Sequence, residues 1–362
     1  MTMTPFEGLA LSAVEGFAVQ TTDNLFFTVK GLLHPPDRVI AYLRYLPDPQ
    51  GDRERDGVRY RRVYHFGEQQ EILQARYPDY LSHDPVLGIR LQSVPRRLIR
   101  TVYDPCDYLA TLRQRGPADV VEEHALALTA VLQNADCRTT TDVEEHTLAA
   151  LLQAIRNSLG VSGSVLIGMH RPDSDIDLVV YGETAGRAVH RALGCLLDDS
   201  SNDLRRPNRE ELAALHAAHR PDTPLSFADF VRLQARKVNE GRFRGREVFI
   251  RFVKRPAEVG ERYGERRFEP LGPATLRARV TDDYDAIFTP CRYGVEDVTF
   301  LDGSPVADLR ELVSFRGRFS EQARAGEWAV ARGSLERVIH RSEPIYHRLV
   351  VGGRAGDYLK AV

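Results

Sequence analysis

The sequence predicts a multidomain α+β protein: a central α/β domain between a β-rich N-terminal domain and a small C-terminal β-barrel. Three observations carry this expectation. The chain has 362 residues, more than one typical domain holds. Short β-branched and aromatic runs, separated by Pro- and Gly-rich turns, fill both ends. Capped helical patterns cluster in the middle. The expected boundaries are 1–115, 116–260 and 261–362.

In the first region, Leu25 to Lys30, Arg38 to Leu46 and Val58 to Tyr64 read as strands. The turns between them are His34-Pro35-Pro36 and Pro47-Asp48-Pro49-Gln50-Gly51. Residues 94–108, with Pro95 and Pro105, read as a connector. In the central region, Thr141 to Glu144 forms a capping-box pattern that opens a helix running to Leu159. Helices are expected near 186–198, over 208–219 with Asn208 as N-cap and Glu211 at N3, and over 226–239 with Ser226 as N-cap. Glu247 to Lys254 reads as a strand. In the last region, Thr275–Val280, Asp285–Thr289, Glu311–Phe315, Trp328–Arg332, Glu336–Ile339 and Tyr346–Val351 read as short strands. Their regular spacing suggests a small barrel or sandwich, an OB-like barrel being one such form. No internal repeat is present.

Hydrophobic content of 43% supports a packed core, and a net charge of −2 gives no global attraction to nucleic acid. Of 49 basic residues only four are lysine: Lys30, Lys237, Lys254 and Lys360. Cys106, Cys137, Cys195 and Cys291 are scattered without a CxxC pair, so neither a zinc site nor a disulfide framework is expected. The N-terminal stretch lacks a basic region and a long apolar core, so a signal peptide is not expected. No run approaches 18 apolar residues, so no membrane partner is expected and the expected location is cytoplasmic.

Residues 161–182, VSGSVLIGMHRPDSDIDLVVYG, carry the chemistry. Gly163-Ser164 is followed after ten residues by Asp175-Ile176-Asp177. The run Ile176 to Tyr181 is β-branched and apolar, so it reads as a strand. Alternation puts Asp175 and Asp177 on one face, about 6.6 Å apart along the backbone, with Ile176 and Leu178 facing the other way. Two neighbouring carboxylates without a basic partner in the strand suit a divalent cation, which takes its other ligands from substrate phosphates. Gly163 permits close backbone approach, and Ser164 starts a short helix expected over Val165–Met169 whose free N–H groups would face an anion.

This Gly-Ser and Asp-x-Asp pattern resembles the nucleotidyltransferase superfamily typified by DNA polymerase beta. The match covers about twenty residues directly. The resemblance implies a central nucleotidyltransferase-type domain that transfers a nucleoside monophosphate from an NTP to an acceptor hydroxyl. Asp175 and Asp177 would be catalytic and would hold Mg²⁺ or Mn²⁺. Gly163, Ser164 and Ser174 would bind the triphosphate. The family's third carboxylate comes from a later strand, where Glu247 is the only acid and Arg251 occupies the position that best fits the frame. From Arg232 to Arg267 twelve basic residues face five acids, so Lys237 and Arg242 are further candidates for nucleotide binding. The expected acceptor is the 3′ end of single-stranded DNA or RNA, added to without a template; a small molecule or a protein side chain is the alternative acceptor. The alternative function is a catalytically weak or inactive module of this fold that binds nucleotide or nucleic acid.

Overall fold

The computed structural model describes residues 13–134 and 145–362. It is a mixed α+β chain whose described residues form two compact units. The first comprises 13–84, 90–204 and 242–260; the second comprises 85–89, 205–241 and 261–362. The expected boundary at 115/116 falls inside the first unit, and 260/261 coincides with the end of its last segment. Among the described residues no helix is long and apolar enough to cross a membrane.

The first unit opens with an antiparallel sheet. Strands Ala18–Thr21, Phe26–Val29 and Arg38–Pro47 follow one another as neighbours, and Ile99–Tyr103 adds to the first of them. Arg38–Pro47 is ten residues long and pairs with two further strands besides Phe26–Val29. Its last residues pair with Val58–Arg62, and its first residues pair with Ile89–Pro95. Alternate residues of this strand, Val39, Ala41 and Leu43, are buried, as period-2 patterning requires. The edge strand Arg53–Arg55 pairs with Val58–Arg62 across a turn in which Asp56 and Gly57 both take positive φ. Two consecutive left-handed residues suit a type I′ hairpin, and glycine is the residue that adopts such φ without strain.

The segment 94–108 is not a connector. Pro95 ends the strand Ile89–Pro95, Ile99–Tyr103 is a sheet strand, and Pro105 starts the helix Pro105–Arg115. Asp104 caps that helix by accepting from Cys106 N–H and Asp107 N–H. Proline at the first helical position loses no hydrogen bond, which is why it starts this helix instead of breaking it. Helices Phe66–Arg76 and Val120–Asn134 were likewise not expected.

The second sheet of this unit is built around Ile176–Tyr181. Arg246–Val253 pairs with it in parallel, with Ile176 opposite Val248 and Asp177 opposite Phe249. Leu159–Val161 pairs with it antiparallel. Leu159 therefore belongs to a strand, and the preceding helix, Glu145–Arg156, ends before it; the capping residues Thr141–Glu144 lie outside the described residues. One core joins the two sheets. Val179, Tyr181 and Val253 pack with Phe17, Val19, Phe27 and Leu43. Tyr181 also donates to the Glu15 carbonyl at 3.0 Å.

In the second unit Asn208 and Glu211 form the expected capping box of helix Arg209–His219. Ser226 caps Phe227–Gln234, which stops five residues short of the expected end because the chain turns at Arg236-Lys237. Six strands form a ring-like sheet in the order Arg266–Asp282, Cys291–Asp302, Leu309–Ser314, Tyr346–Val350, Trp328–His340, Tyr358–Ala361. The ring closes because Arg266–Asp282 also pairs with Trp328–His340 over most of its length. Leu309–Ser314 and Tyr346–Val350 run parallel; the other pairings of the ring among the described residues are antiparallel. Trp328–Arg332 and Glu336–Ile339 are one strand, and Asp285–Thr289 is a turn instead of a strand.

Candidate functional site

The sequence Ser162-Gly163-Ser164 turns the chain from the strand Leu159–Val161 into a single helical turn, Gly163–Leu166. The helix is four residues long and starts two residues earlier than expected. One turn carries little dipole, so the argument from a helix N-terminus fails here. What the turn does is geometric. Gly163 has φ +63°, and a Cβ there would sit 2.0 Å from Asp177 Oδ2. No other residue fits against that carboxylate. Ser162 N–H donates to the Asp177 carbonyl at 2.8 Å, fixing the turn against the strand. Ser164 is 7% exposed, and its Oγ has no hydrogen-bond partner among the described residues.

Asp175 and Asp177 are half-buried, while Ile176 and Leu178 are buried on the opposite face, as alternation predicts. Among the described residues neither carboxylate has a hydrogen bond or an ion pair. Burial, and then the charge of Asp175, pushes Asp177 up to about 6, against the pull of Arg251, Arg62 and Arg44. Such a pair fits a hard cation that shares its shell with phosphate oxygens. A cage made wholly by protein does not fit: among the described residues no group of three or more His, Cys, Asp or Glu side chains could hold a metal ion.

The third-carboxylate position shows why. Glu247 immediately precedes Val248, the partner of Ile176, so it stands at the register of Asp175. Its carboxylate is half exposed and bonds Arg242 Nη1 at 3.2 Å. Arg251, deeper on the same face, bonds Glu15 Oε1 at 2.7 Å. Glu15 is 0% exposed and also holds Lys30 Nζ at 2.9 Å and Gly31 N–H at 2.9 Å. Burial opposes the charge on Glu15, yet Lys30 and Arg251 hold its pKa below the ordinary value. Arg251 is thus a structural cation that ties the aspartate sheet to the N-terminal segment.

A cavity of about 630 Å³ opens beside Asp175, lined by parts of three chain segments, 52–64, 171–175 and 242–247. Six arginines face it, and four are already engaged. Arg171 bonds Asp173 and Asp52, and Arg242 bonds Glu247. Arg244 bonds Asp203, and Arg246 donates to the carbonyls of Pro172 and Ser174. The other two, Arg53 and Arg62, come from the N-terminal sheet, which sequence reasoning tied to no chemistry. Arg53 is 8% exposed, and its Nε and Nη1 have no acceptor. Arg62 Nε has none either; its guanidinium lies 4.5 Å from the Tyr64 ring centroid. Burial opposes the charge of Arg62, but Tyr45, Tyr64, Asp175 and Asp177 together keep its pKa raised. Burial, and then the charge of Arg62, lowers the pKa of Arg44 nearby.

The remaining expected residues sit as follows. Ser174 Oγ accepts from Arg171 N–H at 2.9 Å, a turn-closing role. Lys237 lies in the second unit, 3% exposed, where its ammonium holds Glu240 at 2.9 Å and the Arg318 carbonyl at 2.8 Å. The basic stretch 232–267 is largely neutralised: besides the pairs above, Arg236 bonds Glu327 and Lys254 bonds Glu183. His170 holds Asp119 at 2.6 Å. His34 accepts from Ile40 N–H and bonds the Ala13 carbonyl, which makes it a buried structural histidine. Of the cysteines, Cys106, Cys195 and Cys291 are free thiols; Cys137 lies outside the described residues.

No protein-family model matches the chain, and no solved structure matches it. The chain is similar to "Uncharacterized protein MJ1086" of Methanocaldococcus jannaschii, 27% identical over 343 residues, which covers 92% of this chain and 94% of that protein.

Proposed function

We propose that this protein is a nucleotidyltransferase that moves a nucleoside monophosphate from an NTP to an acceptor hydroxyl. One observation carries the reading: Asp177 on the strand and Asp175 just before it have no hydrogen bond or ion pair among the described residues, and Asp175 borders an arginine-lined cavity. Asp175 and Asp177 would hold Mg²⁺ or Mn²⁺ against the substrate's phosphates, and the ion would supply charge neutralisation at the phosphoryl oxygens. Gly163 keeps the backbone tight against Asp177, so the carboxylate is held before substrate arrives. The Ser164 hydroxyl is an open donor beside the same turn. The acceptor hydroxyl would attack the α-phosphorus in line and pyrophosphate would leave, so the protein's contribution is positioning and electrostatics.

A single-stranded nucleic-acid 3′ end is the acceptor we favour. Its support is the closed C-terminal ring with one parallel pair, which suits an OB-like barrel, a form that often binds single strands. The test is incubation with each α-labelled NTP, Mg²⁺ or Mn²⁺, and short DNA or RNA strands. Label should move to the strand. Asp175→Ala with Asp177→Ala should abolish transfer while circular dichroism stays unchanged; full transfer by that double variant rules the mechanism out.

A second reading is favoured by Arg251 standing where a third carboxylate is wanted. The protein would then bind nucleotide without turning it over. Salt-sensitive binding of NTP or single strands, with no labelled product under any metal, separates this module from the enzyme.

A further inference from the structure

Arginine donors without hydrogen-bond acceptors are the unexplained feature of the first unit. Arg53 is more than nine-tenths buried and lines the cavity beside Asp175, yet Nε and Nη1 meet no acceptor. Asp52 Oδ2 lies 3.9 Å from Nε, beyond hydrogen-bond length. A buried charged donor left without its hydrogen bond is a cost to the fold. Structures keep such groups where a ligand satisfies them. The open atoms, Nε and Nη1, sit on different sides of the planar guanidinium, and each offers an N–H to a phosphate oxygen. Arg62 faces the same cavity with Nε open, and the charges of Arg62, Arg44 and Arg53 all act on the Tyr45 hydroxyl. Three like charges so close repel one another, and an anion with several charges relieves all of them together. The cavity, about 630 Å³, is of the size that takes a small ligand and is larger than a single anion needs.

We propose that Arg53 and Arg62 form a subsite for a linear chain of phosphates, contributed by the N-terminal sheet and lying beside Asp175. The subsite rests on the nucleotidyltransferase reading for the identity of that chain as the tail of a nucleoside triphosphate. Inorganic polyphosphate presents the same chemistry. The N-terminal sheet therefore reads substrate instead of only packing against the aspartate strand.

The experiment is calorimetric titration of the full chain with inorganic tripolyphosphate and with ATP, GTP, CTP and UTP, each without divalent metal and with Mn²⁺. Tripolyphosphate should bind the unaltered protein, with affinity falling as salt rises. Arg62→Gln and Arg53→Gln should each weaken binding tenfold or more. Arg53→Lys should recover only part of the loss, because an ammonium lacks the planar set of N–H donors. Arg97→Gln, at an exposed arginine that pairs with Asp79 and does not line the cavity, should change affinity less than twofold. Nucleotides binding more tightly than tripolyphosphate identify the triphosphate tail as the ligand; equal affinities identify the phosphate chain alone.

Absence of tripolyphosphate binding under both conditions overturns the subsite, as does unchanged affinity in folded Arg62→Gln. Binding of a single-stranded oligonucleotide without binding of tripolyphosphate also overturns it. If Arg53→Gln does not fold, Arg62→Gln, at a half-buried position, decides. The two proposals fail separately. Arginine-dependent phosphate binding without transfer to any acceptor sinks the enzyme and keeps the subsite. Undiminished transfer by Arg53→Gln with Arg62→Gln sinks the subsite and keeps the enzyme.

Discussion

The two units treat buried charge differently. In the second, each buried charged side chain among the described residues is closed on a partner. Lys237 holds Glu240, Arg348 holds Glu336 at 2.8 Å, Glu311 bonds the Tyr346 hydroxyl, and Asp357 accepts two backbone N–H groups. In the first unit some charges are closed as tightly, with Glu15 between Lys30 and Arg251. Others lack hydrogen-bond partners: Asp177 on the strand, Asp175 just before it, and the Nε atoms of Arg53 and Arg62. Open charge is a stability cost carried where a ligand is to be met. The difference is why the proposed chemistry is assigned to the first unit.

Breaking closed pairs should give the largest effects. Glu15→Gln leaves half-buried Lys30 and Arg251 without their buried anion and should cost about 3–5 kcal/mol in urea denaturation; Glu336→Gln, which strips Arg348, should cost a similar amount. If either variant is as stable as the parent, the distinction between closed and open charge loses its basis. Gly163→Ala should come next. Its Cβ meets Asp177 and its φ is left-handed, so a loss of about 2 kcal/mol or more is expected.

Protonation of buried histidines follows. Burial, and then the charge of Arg96 over the bond to Ala13, lowers His34 to about 4, so it stays neutral in the fold. The unfolded chain takes up the proton near the ordinary 6.5. Stability from this group is complete above that value and is lost as pH falls from 6.5 toward 4. His219 in the second unit is lowered to about 4 by burial and Arg318, so both units should weaken over the same window. His34→Gln should flatten part of that slope, by about 1–3 kcal/mol between pH 7.5 and 4.5.

The smallest effect has the opposite sign. Asp177 is raised, so its charged form opposes folding above about pH 6. Asp177→Asn should therefore be as stable as the parent or up to about 1 kcal/mol more stable at pH 8, while transfer is lost. A clear loss of stability in that variant would place Asp177 among the closed charges.

Much of this was legible in the chain. Ile176 to Tyr181 announces itself by β-branching, and the caps at Asn208 and Ser226 by their spacing from Glu211 and Asp229. Gly163-Ser164 was readable as a turn, though its use, backbone contact with Asp177, needed coordinates. Asp104-Pro105 was a readable helix start that the prolines disguised. Cys291–Asp302 escaped because Gly294, register shifts and the left-handed Asp297 break its alternation. Arg53 and Arg62 could not be found from sequence. In a chain so rich in arginine they look like any other, and only long-range packing leaves them without acceptors while Arg242 and Arg244 find theirs.

The tie between Glu15 and Arg251 spans 236 positions. Until the strand Arg246–Val253 is synthesised and docked, the buried carboxylate near the N-terminus has only Lys30 and the Gly31 N–H beside it. Contacts this distant in sequence are slow to close. The aspartate face therefore acquires its final rigidity late in folding, and a nascent chain that stops short of residue 251 carries both aspartates without the scaffold that holds them.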